Sequence, residues 1–124
     1  MQGIERSRTA SQEPPPPPDP LADTRAACGA ILTRMFDALV LADRYAKMGA
    51  SPELVGEGRE SARDAAKGFM SAAMLQHAAI LEMALNGSTP QYVEMEGKIA
   101  QHSAAGIDAL LDTKNALAKG SDER

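Results

Sequence analysis

Aromatic residues are nearly missing from this chain: two phenylalanines, two tyrosines and no tryptophan among 124 residues. Unpaired bases stack on such rings, and phosphates need a basic stripe, which a chain of formal net charge −4 does not offer. Nucleic-acid binding is disfavoured on both grounds. Cysteine is almost absent too. Cys28 stands alone and cannot close an internal disulfide, which fits a reducing compartment. Met1 to Arg8 contain no apolar core for a secretory signal, and no uninterrupted run of about 18 apolar residues offers a membrane span. The expected location is the cytoplasm, with export by a signal-independent route left open. Valine and threonine are scarce, so strands lack their favoured residues.

Alanine and proline are what the chain has in quantity. Of 23 alanines, 22 follow Leu21, and alanine has the best helix propensity because it loses no side-chain entropy on ordering. Residues 1–18 are rich in Ser, Gln, Glu and Arg and close on Pro14 to Pro18, five consecutive prolines that favour an extended, semi-rigid segment. A disordered proline-rich arm is expected there, acting as a spacer rather than as a ligand for an aromatic groove, because no base flanks the run closely.

Three proline pairs then mark helix starts: Asp19-Pro20, Ser51-Pro52 and Thr89-Pro90. The first residue of each can cap orphan amides, and proline at the first helical position loses no hydrogen bond. A glycine follows each unit, Gly49, Gly87 and Gly120, where a left-handed residue can close a helix. The reading is all-α: an antiparallel bundle of three long helices over about 20–48, 52–86 and 90–119, filling residues 19–120, with a frayed tail at 121–124. Gly56, Gly58 and Gly68 are the weak point of the second helix, which can begin near Glu57 or bend at Gly68 without changing the plan.

Apolar stripes at spacings of three and four give the expected core. Helix 1 offers Leu21, Cys28, Leu32, Met35, Leu39 and Ala42, with Ile31 and Phe36 alongside. Helix 3 offers Tyr92, Met95, Ile99, Ser103, Gly106, Leu110 and Leu117. The second half of helix 2 is apolar nearly all round and carries three stripes. Phe69, Ala73, Ile80 and Ala84 form one, and Met70, Met74, Leu81 and Leu85 the next; these two are expected to touch helices 1 and 3. The third, Gly68, Ala72, Leu75, Ala79 and Met83, has small residues in register and is expected to lack a partner within the chain, making it the candidate partner-binding seam.

Chemistry has little to stand on. His77 and His102 have no third ligand on their face and no Glu-x-x-His spacing, so half-buried edge histidines are expected instead of a metal site. Cys28, among Ala26, Ala27 and Gly29, reads as a small apolar residue. Arg59, Arg63 and Lys67 form a row that could hold an anion, as in small helical chorismate mutases. Glu57, Glu60 and Asp64 interleave with the row and make it a salt-bridged solvent face. No phosphate loop, nucleophile elbow or zinc spacing occurs.

The stretch from Tyr92-Val93-Glu94-Met95 to Gly106-Ile107-Asp108-Ala109-Leu110-Leu111 resembles the C-terminal helix of type III secretion inner-rod subunits, over about a sixth of the chain. That resemblance implies a helical structural subunit of a secretion assembly. The residues themselves imply a non-catalytic helical interaction module, an adaptor or regulatory subunit without cofactor. It would bind a protein partner or itself through helix 2. A small helical enzyme is the third expectation.

Residues 1–18 cannot bury enough apolar surface to offset their conformational entropy. Deleting them should move the thermal midpoint by no more than a few degrees, an effect on the order of 1 kcal/mol or less. A calorimetric scan of the truncated chain checks this.

Overall fold

A computed structural model describes residues 19–122, so the arm expected at 1–18 and the last two residues lie outside the described residues. Among the described residues there are three helices: α1 (Ala22–Ala50), α2 (Glu57–Asn86) and α3 (Pro90–Asp122). No strand occurs among the described residues. The helices run antiparallel in sequence order, with α2 packed against both neighbours. Cys28 of α1 donates through Sγ to the Ile80 carbonyl at 3.9 Å, and Gly49 near the other end of α1 lies against Arg63. Gly68 of α2 lies on Gly106 of α3, and Gly58 lies near Ala116.

The start signals act differently at each helix. Thr89 is a complete N-cap: its Oγ1 accepts from the Tyr92 amide at 3.1 Å and donates to Glu82 Oε1 at 2.8 Å, tying the start of α3 to the end of α2. Asp19 holds a turn one step ahead of α1, accepting from the Leu21 amide and pairing with Arg25 at 2.9 Å. Ser51-Pro52 does not start α2. Ser51 Oγ only accepts from the Glu53 amide, and the chain runs on through Gly56 at φ +61° before the helix begins at Glu57.

Burial explains the delay. Leu54 is nearly fully covered, drawn into the core with Tyr45 and Ala62 while Pro52, Glu53, Val55 and Gly56 stay exposed, so this one side chain pins the loop 51–56. Arg59 then closes the loop by donating to the carbonyls of Leu54 and Ser51, both at 3.0 Å. Of the three glycine stops, Gly87 alone takes the positive φ expected of one. Gly49 lies inside α1, and α3 runs past the expected end at 119 to Asp122. Gly49 has Met48 and Ala50 beside it, and one glycine costs a helix only about 1 kcal/mol.

Covered residues alternate at spacings of four and three on every helix. On α2 they are Gly58, Ala62, Ala65, Phe69, Ala72, Gln76, Ala79 and Met83. On α1 the buried members of the line are Ile31, Ala38, Ala42, Tyr45 and Gly49, and on α3 Ile99, Gly106 and Thr113. This is the heptad spacing of coiled-coil packing, in which one face stays turned to its neighbour over many turns. The core divides into two clusters. One gathers Ala42, Tyr45, Leu54, Ala62, Ala65 and Phe69, and the other Ile31, Ala72, Ala79, Met83 and Ile99.

Replacing Thr89 by alanine should destabilise the fold by about 1–2 kcal/mol, because an N-cap bond is lost. Ser51→Ala should cost less than about 0.5 kcal/mol, as expected of a loop position away from any cap. Urea melts of the two variants side by side give the comparison.

Candidate interaction surface

The seam expected to be free on α2 is occupied within the chain. Ala72 and Ala79 are fully covered and Met83 is 8% exposed, all three in the cluster that holds Ile99 of α3, with Leu75 packed against it. Gly68 is closer still. A Cβ there would stand 2.9 Å from the Gly106 backbone of α3. The small residues do let a helix approach closely, and that helix is α3.

The stripe expected to be inside is the one that faces out. Met70, Met74, Leu81 and Leu85 are 43%, 68%, 52% and 79% exposed. Three stripes spaced evenly round a helix look alike on apolarity, and only two can be covered by two neighbours. Size decides the pair: glycine and alanine bring backbones into contact, and longer side chains would hold them apart. The missed signal lay in the glycines. Gly68 and Gly106 are nearly equidistant from the turn at Ser88, so an antiparallel pair sets one on the other.

The same exchange occurs on α1. Leu32 and Phe36, expected in or beside the core, are 41% and 56% exposed, and Ile31, Ala38 and Tyr45 take the inside. The register set by Cys28–Ile80 and Gly49–Arg63 puts Leu32 level with His77 and Phe36 level with Ala73. The outward residues of α1 and Met70 of α2 border the side on which these two helices meet, whereas Met74 also lines a groove with Lys98 and His102 of α3. The outward residues form one apolar face across two helices. No Asp, Glu, Lys or Arg occurs in α2 from Gly68 to Leu81. Arg63 and Lys67 on α2 and the Asp43–Lys47 pair on α1 stand exposed at one end of it.

Elsewhere polar groups are interspersed with exposed apolar residues, among them Val40, Val93, Ile107 and Leu111. Between α1 and α3, Arg34 pairs with Glu96 at 3.4 Å. Burial, and then the neighbouring Glu96 carboxylate, raise the Tyr92 phenol above its ordinary value. Beside them a shallow cleft of about 200 Å³ is lined by Arg34, Asp37, Phe69, Gln76 and Ser103. Gln76 is 4% exposed, and its Oε1 has no hydrogen-bond partner. A groove of about 480 Å³ between the start of α2 and the end of α3 gathers Glu57, Glu60, Asp64 and Asp112 with Lys119. His77 and His102 are both exposed, more so than the half-burial expected of them, and no group of three His, Cys, Asp or Glu among the described residues is placed to hold a metal. Arg59 spends its donors on the loop, which removes it from the expected basic row.

By length and composition α2 is apolar enough to cross a membrane, yet less than half of its apolar window is buried in the bundle. The uncovered part includes the outer face. No protein-family model, curated protein or solved structure matches the chain.

A methyl group at Gly68 has backbone in its way, whereas one at Gly97 meets nothing within 4 Å. Gly68→Ala should therefore destabilise by about 1–3 kcal/mol through overpacking, and Gly97→Ala should stabilise by up to about 1 kcal/mol through helix propensity. Opposite shifts of the denaturation midpoint would mark the α2–α3 contact as the tight one.

Proposed function

We propose that this protein is a non-catalytic helical interaction module that associates with a helical protein surface through the outer face of α1 and α2. The observation that carries the reading is the apolar face itself, with Phe36, Met74 and Leu85 more than half exposed. Single exposed apolar residues are ordinary on a monomer, whereas a continuous apolar patch with charges at its edge is the anatomy of an interface. Methionine suits such a face, because its unbranched, polarisable side chain repacks against differing partners. The clefts offer less: one of about 480 Å³ gathers carboxylates at an open surface, one of about 200 Å³ is below the usual volume of a ligand site, and two shallow grooves of about 320 and 390 Å³ beside Met70 and Met74 run into the apolar face itself.

A second reading, a subunit of a larger helical assembly, draws on α3. Val93, Gly97, Ala100, Ala104, Ile107 and Leu111 all face solvent at alternating spacings of four and three. Two different adhesive faces on one chain build open head-to-tail arrays.

A photo-crosslinking residue in place of Met74, introduced in the native host, tests the first reading. Protein adducts should form at position 74 and not at the exposed Asp108 on α3. Absence of any protein adduct at 74, or adducts at 108 alone, would refute it.

A further inference from the structure

We infer that the occupant of the α1/α2 face is a second copy of this chain, bound across a two-fold axis that sets the two helix pairs against each other. This inference rests on the interaction-module reading and goes further by naming the partner. Area is the first argument. Leu32, Phe36, Met70, Met74, Leu81 and Leu85 have exposed fractions between 41% and 79%. With roughly 200 Å² for each large side chain, they present about 680 Å² of surface per protomer. That lies just above the range for the largest patch on a monomer and approaches the roughly 800 Å² per partner of a standard interface. His77, half-buried Leu39 and the alanines between them supply the remainder.

Shape is the second argument. Met70, Met74, His77, Leu81 and Ala84 repeat along α2 at spacings of four, three, four and three, roughly opposite the buried line. Gly29, Leu32, Phe36, Leu39 and Asp43 repeat on α1 in the same alternation. A partner must therefore offer two antiparallel helices with matching heptad seams, since one helix alone leaves half of the face open. The chain's own α1/α2 pair meets that requirement. An isologous two-fold contact uses the same patch on both sides and closes at two copies, giving a layer of four helices with α3 of each protomer on the outside.

The test measures solution mass by light scattering on the full chain at high micromolar concentration, with circular dichroism as the check on folding. Wild type should show twice the 13.1 kDa of the single chain. Phe36→Glu and Met74→Glu should each fall to the single-chain mass with helicity unchanged, and Ile107→Glu, on the outer seam of α3, should keep the wild-type mass. In a Cys28→Ser background, Met74→Cys or His77→Cys should be joined into covalent pairs by a short bis-maleimide, and Ile107→Cys should not. A monomeric wild type would overturn the inference, as would a mass that climbs steadily with concentration or a dimer dissociated by Ile107→Glu alone. If wild type is monomeric and the crosslinker at position 74 captures a different protein, the dimer fails and the interaction module stands. If wild type instead floats with phosphatidylcholine vesicles, with the binding lost in Met74→Glu and no protein adduct formed, both fail.

Discussion

The closeness of α2 to its two neighbours is the constraint on which the rest of the structure depends. Gly68 meets the Gly106 backbone with no room for a Cβ, and the line on either side of it is largely alanine. Helices this close share little interior volume, and large side chains cannot enter it. Ile31, Tyr45, Leu54, Phe69, Met83 and Ile99 are the large apolar residues that find buried places. Leu41, Met48, Leu75, Met95 and Leu110 pack along the edges of the two clusters, and Leu32, Met70, Met74, Leu81 and Leu85 are left outside by the tight contact. The exposed apolar face is thus the complement of an alanine core, made by the same backbone approach.

Tight packing of small residues also limits how much burial can stabilise a single chain. Hydrophobic stabilisation scales with apolar area removed from water, about 25 cal/mol per Å², and an alanine contributes little area. The ion pairs are exposed and add little. Ordering is aided instead by helix propensity and by local devices: the Thr89 cap and the Arg59 clasp on the loop. Covering the outer face would remove from water the bulky side chains that the interior excludes, so association and stability would be linked.

Much of the fold was legible in the residues. Thr89-Pro90 marked the start of α3, Gly87 marked the end of α2, and the helix 3 stripe from Tyr92 to Leu110 turned inward. The start of α2 was harder to read at Ser51-Pro52, because a local cap signal competed with the burial of Leu54 beside Tyr45 and Ala62, which depends on how α1 and α2 close on each other. Choosing between the faces of α2 failed for a related reason. Periodicity reports that a stripe is apolar, and it does not report which neighbour comes near enough to cover it. That depends on which small residues meet across the bundle, as Gly68 and Gly106 do.

An alanine seam has one further consequence, which concerns sliding. If α3 moved along α2 by one heptad, the alanines of α2 would offer little shape of their own to distinguish the two alignments, and the difference would rest on the uneven line of Ile99, Gly106 and Thr113 on α3. The chain breaks this near-degeneracy at few places. The ring of Phe69 lies over Gly106, where a Cβ would come within 3.0–3.1 Å of its edge. One heptad away on each side, Ile99 and Thr113 would put a branched side chain where the glycine leaves a notch. Gln76, the one polar side chain in the α2 line, stands between Ala72 and Ala79 of the second cluster and gives misaligned neighbours a buried amide to accommodate. A single ring and notch, with one amide beside them, act as the key that makes a smooth track stop in one position.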